Sequence, residues 1–148
     1  MPVLRDDPYG AFNYLISLGG ADADLPVAGF AEVTGLALEI EFVEYRNGNE
    51  KPNTVRKLPG LHKVGDVTLK RGVLGSDDLF AWIRGVANGD LDRWDVTITL
   101  LDEQRNPVMA WHLRRALPKN WVGPTLRAKG TDVAMEELTI TCEAIDLE

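Results

Sequence analysis

Alternating apolar and polar positions recur along most of the chain and predict β-strands. Phe12, Tyr14, Ile16 and Leu18 occupy every second position before Gly19. Because alternate side chains of a strand share one face, this segment is typical of a half-buried strand. The same period returns at residues 36–42, 67–70, 94–100, 109–113 and 138–144. We therefore predict a mainly β fold, an antiparallel β-sandwich or barrel.

One segment departs from this period and predicts the single α-helix. It begins after Ser76, a residue type that caps helices, and two acidic residues, and it ends before Gly89. Its apolar residues follow helical spacing at Leu79, Trp82, Ile83 and Val86. Trp121 lies in a loop-like segment, where interface packing and internal packing both remain open.

A long hairpin with a polar arm is the most informative prediction. Leu36, Leu38, Ile40 and Phe42 share one face, and Val67 and Leu69 continue it on the predicted returning limb. A segment rich in Asn, Lys, Glu and Pro between the limbs buries almost nothing in its own domain, so it is either disordered or grips a neighbour. We favour the neighbour and predict an inter-subunit arm of Asn47, Gly48, Asn49, Glu50, Lys51, Pro52, Asn53, Thr54, Val55, Arg56, Lys57 and Leu58.

Length and composition narrow the class of protein. The 148 residues fit a single domain spanning 1–148. One cysteine excludes an internal disulfide framework, and a net charge of −7 argues against a nucleic-acid-binding surface. No apolar run is long enough to span a bilayer, and the amino terminus does not resemble a secretory signal. We therefore expect a cytoplasmic location at first, without membrane anchoring.

The sequence offers little chemistry. His62 lies beside the arm, and His112 alternates with Trp111 and Leu113, so no partnered catalytic constellation is evident. Glu39 and Glu41 are adjacent on one strand face, but such pairs usually form a solvated face rather than a glycosidase site. Hydrolase, metalloprotease and nucleotide-binding motifs are missing from the sequence. We expect a protein that is not an enzyme, with no catalytic, cofactor-binding or metal-binding residues.

A series of motifs in fixed order resembles the inner tail tube proteins of contractile phage tails and extracellular contractile injection systems. The resemblance spans nearly the whole chain. It departs from the family at Asn47, where an acidic residue is usual, and at Leu117, where tryptophan is usual. The motifs are Asp7-Pro8-Tyr9, Phe12-Asn13-Tyr14, Phe30-x-x-Val33-x-Gly35-Leu36, Tyr45-Arg46-Asn47-Gly48, Lys57-Leu58-Pro59-Gly60, Thr68-Leu69-Lys70-Arg71-Gly72, Leu100-Leu101-Asp102 and Leu117-Pro118.

The resemblance implies hexameric rings that stack into a tube, in which each subunit donates its hairpin to an inter-subunit barrel around a channel. A sheath protein, baseplate and tube-capping proteins, and a protein or DNA cargo that is not specifically bound, are the implied partners. The arm would reach a neighbouring subunit and order only on assembly. The amphipathic hairpin would turn four residues toward the lumen: Glu39, Glu41, Thr68 and Lys70.

Several alternatives stay open at this point. A monomeric small-molecule-binding β-barrel fits an acidic β protein with many aromatic residues, but it leaves the arm unexplained. A tube-initiating subunit and a type VI secretion tube subunit share the implied architecture. The particle could be a phage virion, a phage-like bacteriocin or an extracellular injection system, because a tube subunit contacts only its sheath, cargo and neighbours.

Overall fold

The computed structural model describes residues 2–19 and 29–148, and this part of the chain is mainly β with one α-helix. The elements in chain order are β1 (Tyr14–Gly19), β2 (Glu32–Thr34), β3 (Leu38–Tyr45), β4 (Arg56–Val64), β5 (Val67–Gly72), α1 (Asp78–Ala87), β6 (Trp94–Leu101), β7 (Pro107–Val122), β8 (Met135–Thr141) and β9 (Ala144–Leu147).

Antiparallel pairing joins the body of the protein into one sheet in the order β1-β6-β7-β8-β5-β2. β9 also pairs with β7, outside this order. β7 belongs to both halves of this sheet. Its first half pairs with β6 and β9, and its residues from Leu117 to Val122 pair with β8. The predicted antiparallel β architecture is confirmed, and β7 is the element that connects its two halves.

A bulge bends β7 between its two halves. Trp94 pairs with Ala116, but Val96 pairs with Leu113, so β7 has one more residue than β6 at this point. Arg115 has a φ of 53°, a left-handed conformation that non-glycine residues rarely adopt. Its backbone N–H donates a hydrogen bond to Asp95 Oδ1 at 3.0 Å, which satisfies the donor that the ladder leaves unpaired.

The two halves close over a common core to which α1 contributes. Buried side chains come from both halves and from the helix: Ile16, Leu18, Val67, Leu69, Leu79, Trp82, Trp94, Val96, Ile98, Leu113, Ala116, Leu138 and Ile140. Trp82 and Trp94 stack with centroids 4.0 Å apart. Ile16 and Leu18 are buried as predicted, whereas Phe12 precedes the strand and is 73% exposed. Because side chains fill the space between the halves, the interior does not resemble that of a ligand-binding barrel.

A buried ionic network attaches the start of α1 to the sheet. Arg71 on β5 is 7% exposed, and its Nε lies 2.5 Å from Glu136 Oε1 on β8. The same guanidinium contacts Asp78 in the first turn of α1, and Trp121 Nε1 donates to Glu136 Oε2 at 3.2 Å. Burial opposes ionisation of Asp78, but hydrogen bonds from Arg71 and Ser76 outweigh it and lower the pKa of Asp78. Trp121 packs internally, because its indole N–H is bonded to Glu136 and its ring lies edge-on to Phe80.

The start of the helix differs from the prediction. Asp77 occupies the N-cap position and makes no side-chain cap hydrogen bond, while Ser76 donates to Asp78 Oδ1 at 3.0 Å. Ser76 therefore does not cap the helix directly. The predicted end is confirmed, since Gly89 follows the last turn with a φ of +98°.

Candidate assembly surface

A two-stranded hairpin extends from the body and presents the most exposed regular structure among the described residues. We call residues 38–64 the distal hairpin; it consists of β3, β4 and the tip loop, residues 46–55 between them. Leu38 pairs with Val64, and Tyr45 pairs with Arg56. Each residue of β3 is exposed, and so is each residue of β4 except Val64. A sheet without a covered face is incomplete in a single copy of the chain.

The predicted hairpin exists, but its pairing differs from the prediction. The limb opposite Leu38–Phe42 is β4, not Val67–Leu69, and Arg56, Lys57 and Leu58 of the predicted arm belong to β4. Pro59-Gly60 concealed this strand, because that dipeptide usually marks a turn. β4 tolerates Pro59 because β3 is the only strand with which it pairs among the described residues.

The pairing of β3 with β4 continues the pairing of β2 with β5 without a change of register. Glu32 on β2 pairs with Lys70 on β5, and six positions further along each limb Leu38 pairs with Val64. Gly35 marks the junction with a φ of +95°, and a Cβ there would lie 2.1 Å from the carbonyl oxygen of Asp66. Glycine is therefore required where the two strands cross from the body into the distal hairpin.

Large apolar side chains on the distal hairpin are exposed to solvent. Leu38, Ile40 and Phe42 alternate along β3 and are 59%, 49% and 58% exposed. Val43 pairs with Leu58 on the opposite face, and both are also exposed. A large exposed apolar area, on a two-stranded sheet that buries neither face against its own domain, indicates an interaction surface.

Charged side chains cover the base of the same hairpin on one face. Glu39 pairs with Lys63, and Lys63 also forms an ion pair with Glu41. The hydrogen bond to Glu41 raises the pKa of Lys63. A bulge follows on β4, where a Cβ on Gly60 would approach the Glu41 carbonyl oxygen to 3.1 Å. The predicted lumen residues Glu39 and Glu41 therefore lie on a charged, solvated face.

The other two predicted lumen residues belong to the body sheet. Thr68 and Lys70 lie on β5, where they alternate with buried Val67 and Leu69. Thr68 Oγ1 lies 3.2 Å from Thr139 Oγ1, and Lys70 Nζ lies 3.1 Å from Glu137 Oε1. The hydrogen bond to Glu137 raises the pKa of Lys70. The expectation that all four residues lie on one strand pair is therefore wrong, because β4 replaces β5 opposite β3.

The two histidines lie on different strands, His62 on β4 and His112 on β7. In residues 2–19 and 29–148, no group of three or more His, Cys, Asp or Glu could hold a metal ion. His62 pairs with Ile40 on the exposed hairpin, while His112 Nε2 lies 2.6 Å from Glu148 Oε2 at the surface. Within the same ranges, no helix is long and apolar enough to cross a membrane.

Proteins of known structure share this fold over nearly the whole chain. A chain of the PVC sheath-tube complex of an extracellular contractile injection system, in its extended state, is 26% identical; the match covers 95% of this chain and 91% of that one, with a TM-score of 0.83. A chain of the anti-feeding prophage baseplate is 24% identical, with 97% of both chains covered and a TM-score of 0.85.

A structure with lower sequence identity also shares the fold. Hcp1 from Flavobacterium johnsoniae is 16% identical, covering 90% of this chain and 94% of that one, with a TM-score of 0.52. No curated protein sequence matches the chain. The family model of the T4-like virus tail tube protein gp19 matches residues 10–146, which is nearly the whole sequence. The chain therefore belongs to the T4-like virus tail tube protein family.

Proposed function

We propose that this tail tube protein assembles into hexameric rings that stack into a hollow tube, and that the distal hairpin joins one copy to the next. The observation that carries the proposal is the hairpin itself, whose β3 strand has no buried residue in a single copy. Head-to-tail contacts of this kind close into rings and repeat along a stack, so many modest contacts give a rigid tube.

The channel of such a tube would be lined by polar side chains. Glu39 and Glu41 on the distal hairpin, and Thr68 and Lys70 on the solvent side of β5, are the residues that we assign to it. Support comes from their alternation with apolar residues and from the ion pairs that Lys63 and Lys70 form along these strands. The net charge of −7 fits passage of DNA or protein cargo without specific binding.

Three matching structures support an assignment of partners to the proposed tube. One matching structure comes from a sheath-tube complex, another from a baseplate and another from a tube-terminating cap. We assign the same classes of partner to this chain: a surrounding sheath, a baseplate and a cap. Assembly in the bacterial cytoplasm would precede release in a phage or extracellular particle, and sheath contraction would drive the tube into its target.

Paired substitutions on the distal hairpin test the proposal. Phe42 and Leu61 are 58% and 79% exposed, so Phe42→Ser/Leu61→Ser removes apolar surface without disturbing the core. If both side chains are buried on assembly, each loss costs about 1.5–3 kcal/mol of contact energy, and about 1.4 kcal/mol is a tenfold change in affinity. We expect the variant to remain a folded monomer at concentrations where the parent protein forms rings or tubes with sixfold end views.

Leu126→Ser provides the matched control, because Leu126 is 80% exposed but lies far from the distal hairpin in sequence. It should assemble as the parent protein does. Electron microscopy and analytical ultracentrifugation measure the outcome, and circular dichroism verifies folding. Normal tube formation by Phe42→Ser/Leu61→Ser would contradict the role of the hairpin.

A further inference from the structure

The tip loop of the distal hairpin is organised around one arginine. Arg46 Nε donates to the carbonyl oxygen of Pro52 at 3.1 Å, and Arg46 Nη2 donates to the carbonyl oxygen of Glu50 at 2.7 Å. The same nitrogen lies 3.4 Å from Asn53 Oδ1. A planar guanidinium can satisfy several acceptors in a fixed arrangement, which a lysine ammonium cannot reproduce. Arg46 thus ties the far side of the loop to the end of β3.

A second set of contacts fixes the turn at the extreme end of the loop. The N–H of Glu50 donates to the carbonyl oxygen of Asn47 at 3.1 Å, and Asn47 Nδ2 donates to Glu50 Oε1 at 3.2 Å. Arg56 Nη2, at the start of β4, lies 3.0 Å from the same carboxylate oxygen. The Glu50 side chain is only 20% exposed although it lies at the end of a projecting loop. The loop is therefore closed by its own residues.

The tip also differs in charge from the rest of the molecule. The tip loop itself has a net charge of +1, and together with Arg56 and Lys57 at the start of β4 it forms a segment, residues 46–57, with four basic residues and one acidic residue, a net charge of +3. The remainder of the chain contains 12 basic and 22 acidic residues, a net charge of −10. A second copy of this chain is therefore an electrostatically complementary partner for the tip.

We propose that the tip loop is a preformed basic docking element for the acidic surface of a second copy, and that Arg46 is the residue that holds it in shape. This inference rests on the proposed assembly and adds to it, since the sequence had suggested an arm that orders only on assembly. A loop already closed in the free chain loses less conformational freedom when it docks. Removing the closure would weaken assembly without weakening the fold of the body.

Two variants separate shape from charge. Arg46→Lys keeps the positive charge but loses the planar guanidinium and its several N–H donors. Lys51→Gln removes one charge from a side chain that makes no hydrogen bond or ion pair among the described residues. We expect Arg46→Lys to raise the critical concentration for assembly at least tenfold, with an unchanged melting temperature of the unassembled chain. We expect Lys51→Gln to raise it less than threefold. An equal or larger effect of Lys51→Gln would overturn the role of Arg46.

Hydrogen exchange below the critical concentration tests the shape of the loop independently of assembly. The Glu50 amide should be protected in the parent chain and should exchange at least tenfold faster in Arg46→Lys. An unprotected Glu50 amide in the parent chain would overturn the preformed loop. If the parent chain forms no tubes under any condition, the proposed function fails, and the exchange result still decides whether the loop is preformed.

Ionic strength tests the acidic partner. Assembly of the parent chain should weaken when ionic strength rises from about 0.05 M to about 0.5 M, because screening shortens the reach of exposed charges. Lys51→Gln should show a smaller salt dependence than the parent chain. Assembly that is indifferent to salt would overturn the electrostatic part of the inference.

Discussion

Substitution of Arg71 should destabilise the fold far more than the loss of an ordinary surface ion pair. Arg71 and Glu136 have side chains that are each 8% exposed, and their atoms approach to 2.5 Å. In Arg71→Met the carboxylate of Glu136 stays buried, with Trp121 Nε1 at 3.2 Å as its remaining donor. An uncompensated buried charge of this kind costs about 3–5 kcal/mol of unfolding free energy.

Asp78 adds little to that cost. Its side chain is 45% exposed, so water replaces much of what the arginine supplied. The expected loss therefore comes mainly from Glu136. Adding Glu136→Gln removes the stranded charge and leaves an amide oxygen that can still accept from Trp121. The double variant should recover most of the loss and should lie within about 1–2 kcal/mol of the parent chain.

Urea denaturation of the unassembled chain measures these differences. Parent, single and double variants should show equal m-values, so that midpoints report stability directly. A loss of less than about 1 kcal/mol in Arg71→Met would show that water reaches Glu136 and that the pair resembles a surface ion pair. A double variant no more stable than Arg71→Met would refute the stranded-charge argument and point to lost packing of the arginine stem.

Two further predictions concern the base of the hairpin and the amino-terminal segment. Gly35→Ala should lower the free energy of unfolding by at least about 1–2 kcal/mol, because alanine is strained at positive φ and its Cβ would meet the Asp66 carbonyl oxygen. Gly48→Ala is the control, since a Cβ there meets open space, and it should cost less than half as much. Equal losses in urea denaturation would contradict this account. The hydrogen bond from Arg5 lowers the pKa of Glu103 to about 2. Because this folded-state pKa is depressed, the contact stabilises the fold above the unfolded pKa and is lost as pH falls through about 2. Arg5→Gln should move the Glu103 carboxyl titration, followed by NMR, upward toward its ordinary range, and an unmoved midpoint would assign the shift to another group.

The sequence predicted most of the body because burial there follows a strict period. Val67 and Leu69 on β5, and Leu138 and Ile140 on β8, alternate with polar residues and are fully buried. Such alternation reports one covered face of a strand, which needs no knowledge of the partner strand. Strand type and the core face were therefore predictable from local sequence.

Pairing within the distal hairpin was not predictable in the same way. β4 is exposed and contains Pro59 and Gly60, so its pattern carries no burial signal and a strong turn signal. The shape of the tip was also hidden, since Arg46 acts through backbone carbonyls whose positions no residue pattern encodes. The adjacent Asn47-Gly48 dipeptide is typical of a turn, but it does not indicate the arginine that closes this loop.

The continuity of β7 has a mechanical consequence for the proposed tube, if sheath contraction drives it as proposed. Its residues from Pro107 to Val122 run through both halves of the sheet, so one covalent backbone crosses the whole body. Axial load applied to one half reaches the other through peptide bonds as well as through side-chain contacts. Sliding of the halves past each other would require unfolding of the bend at Arg115, where Asp95 holds the backbone. The subunit is thus braced against shear by its own chain.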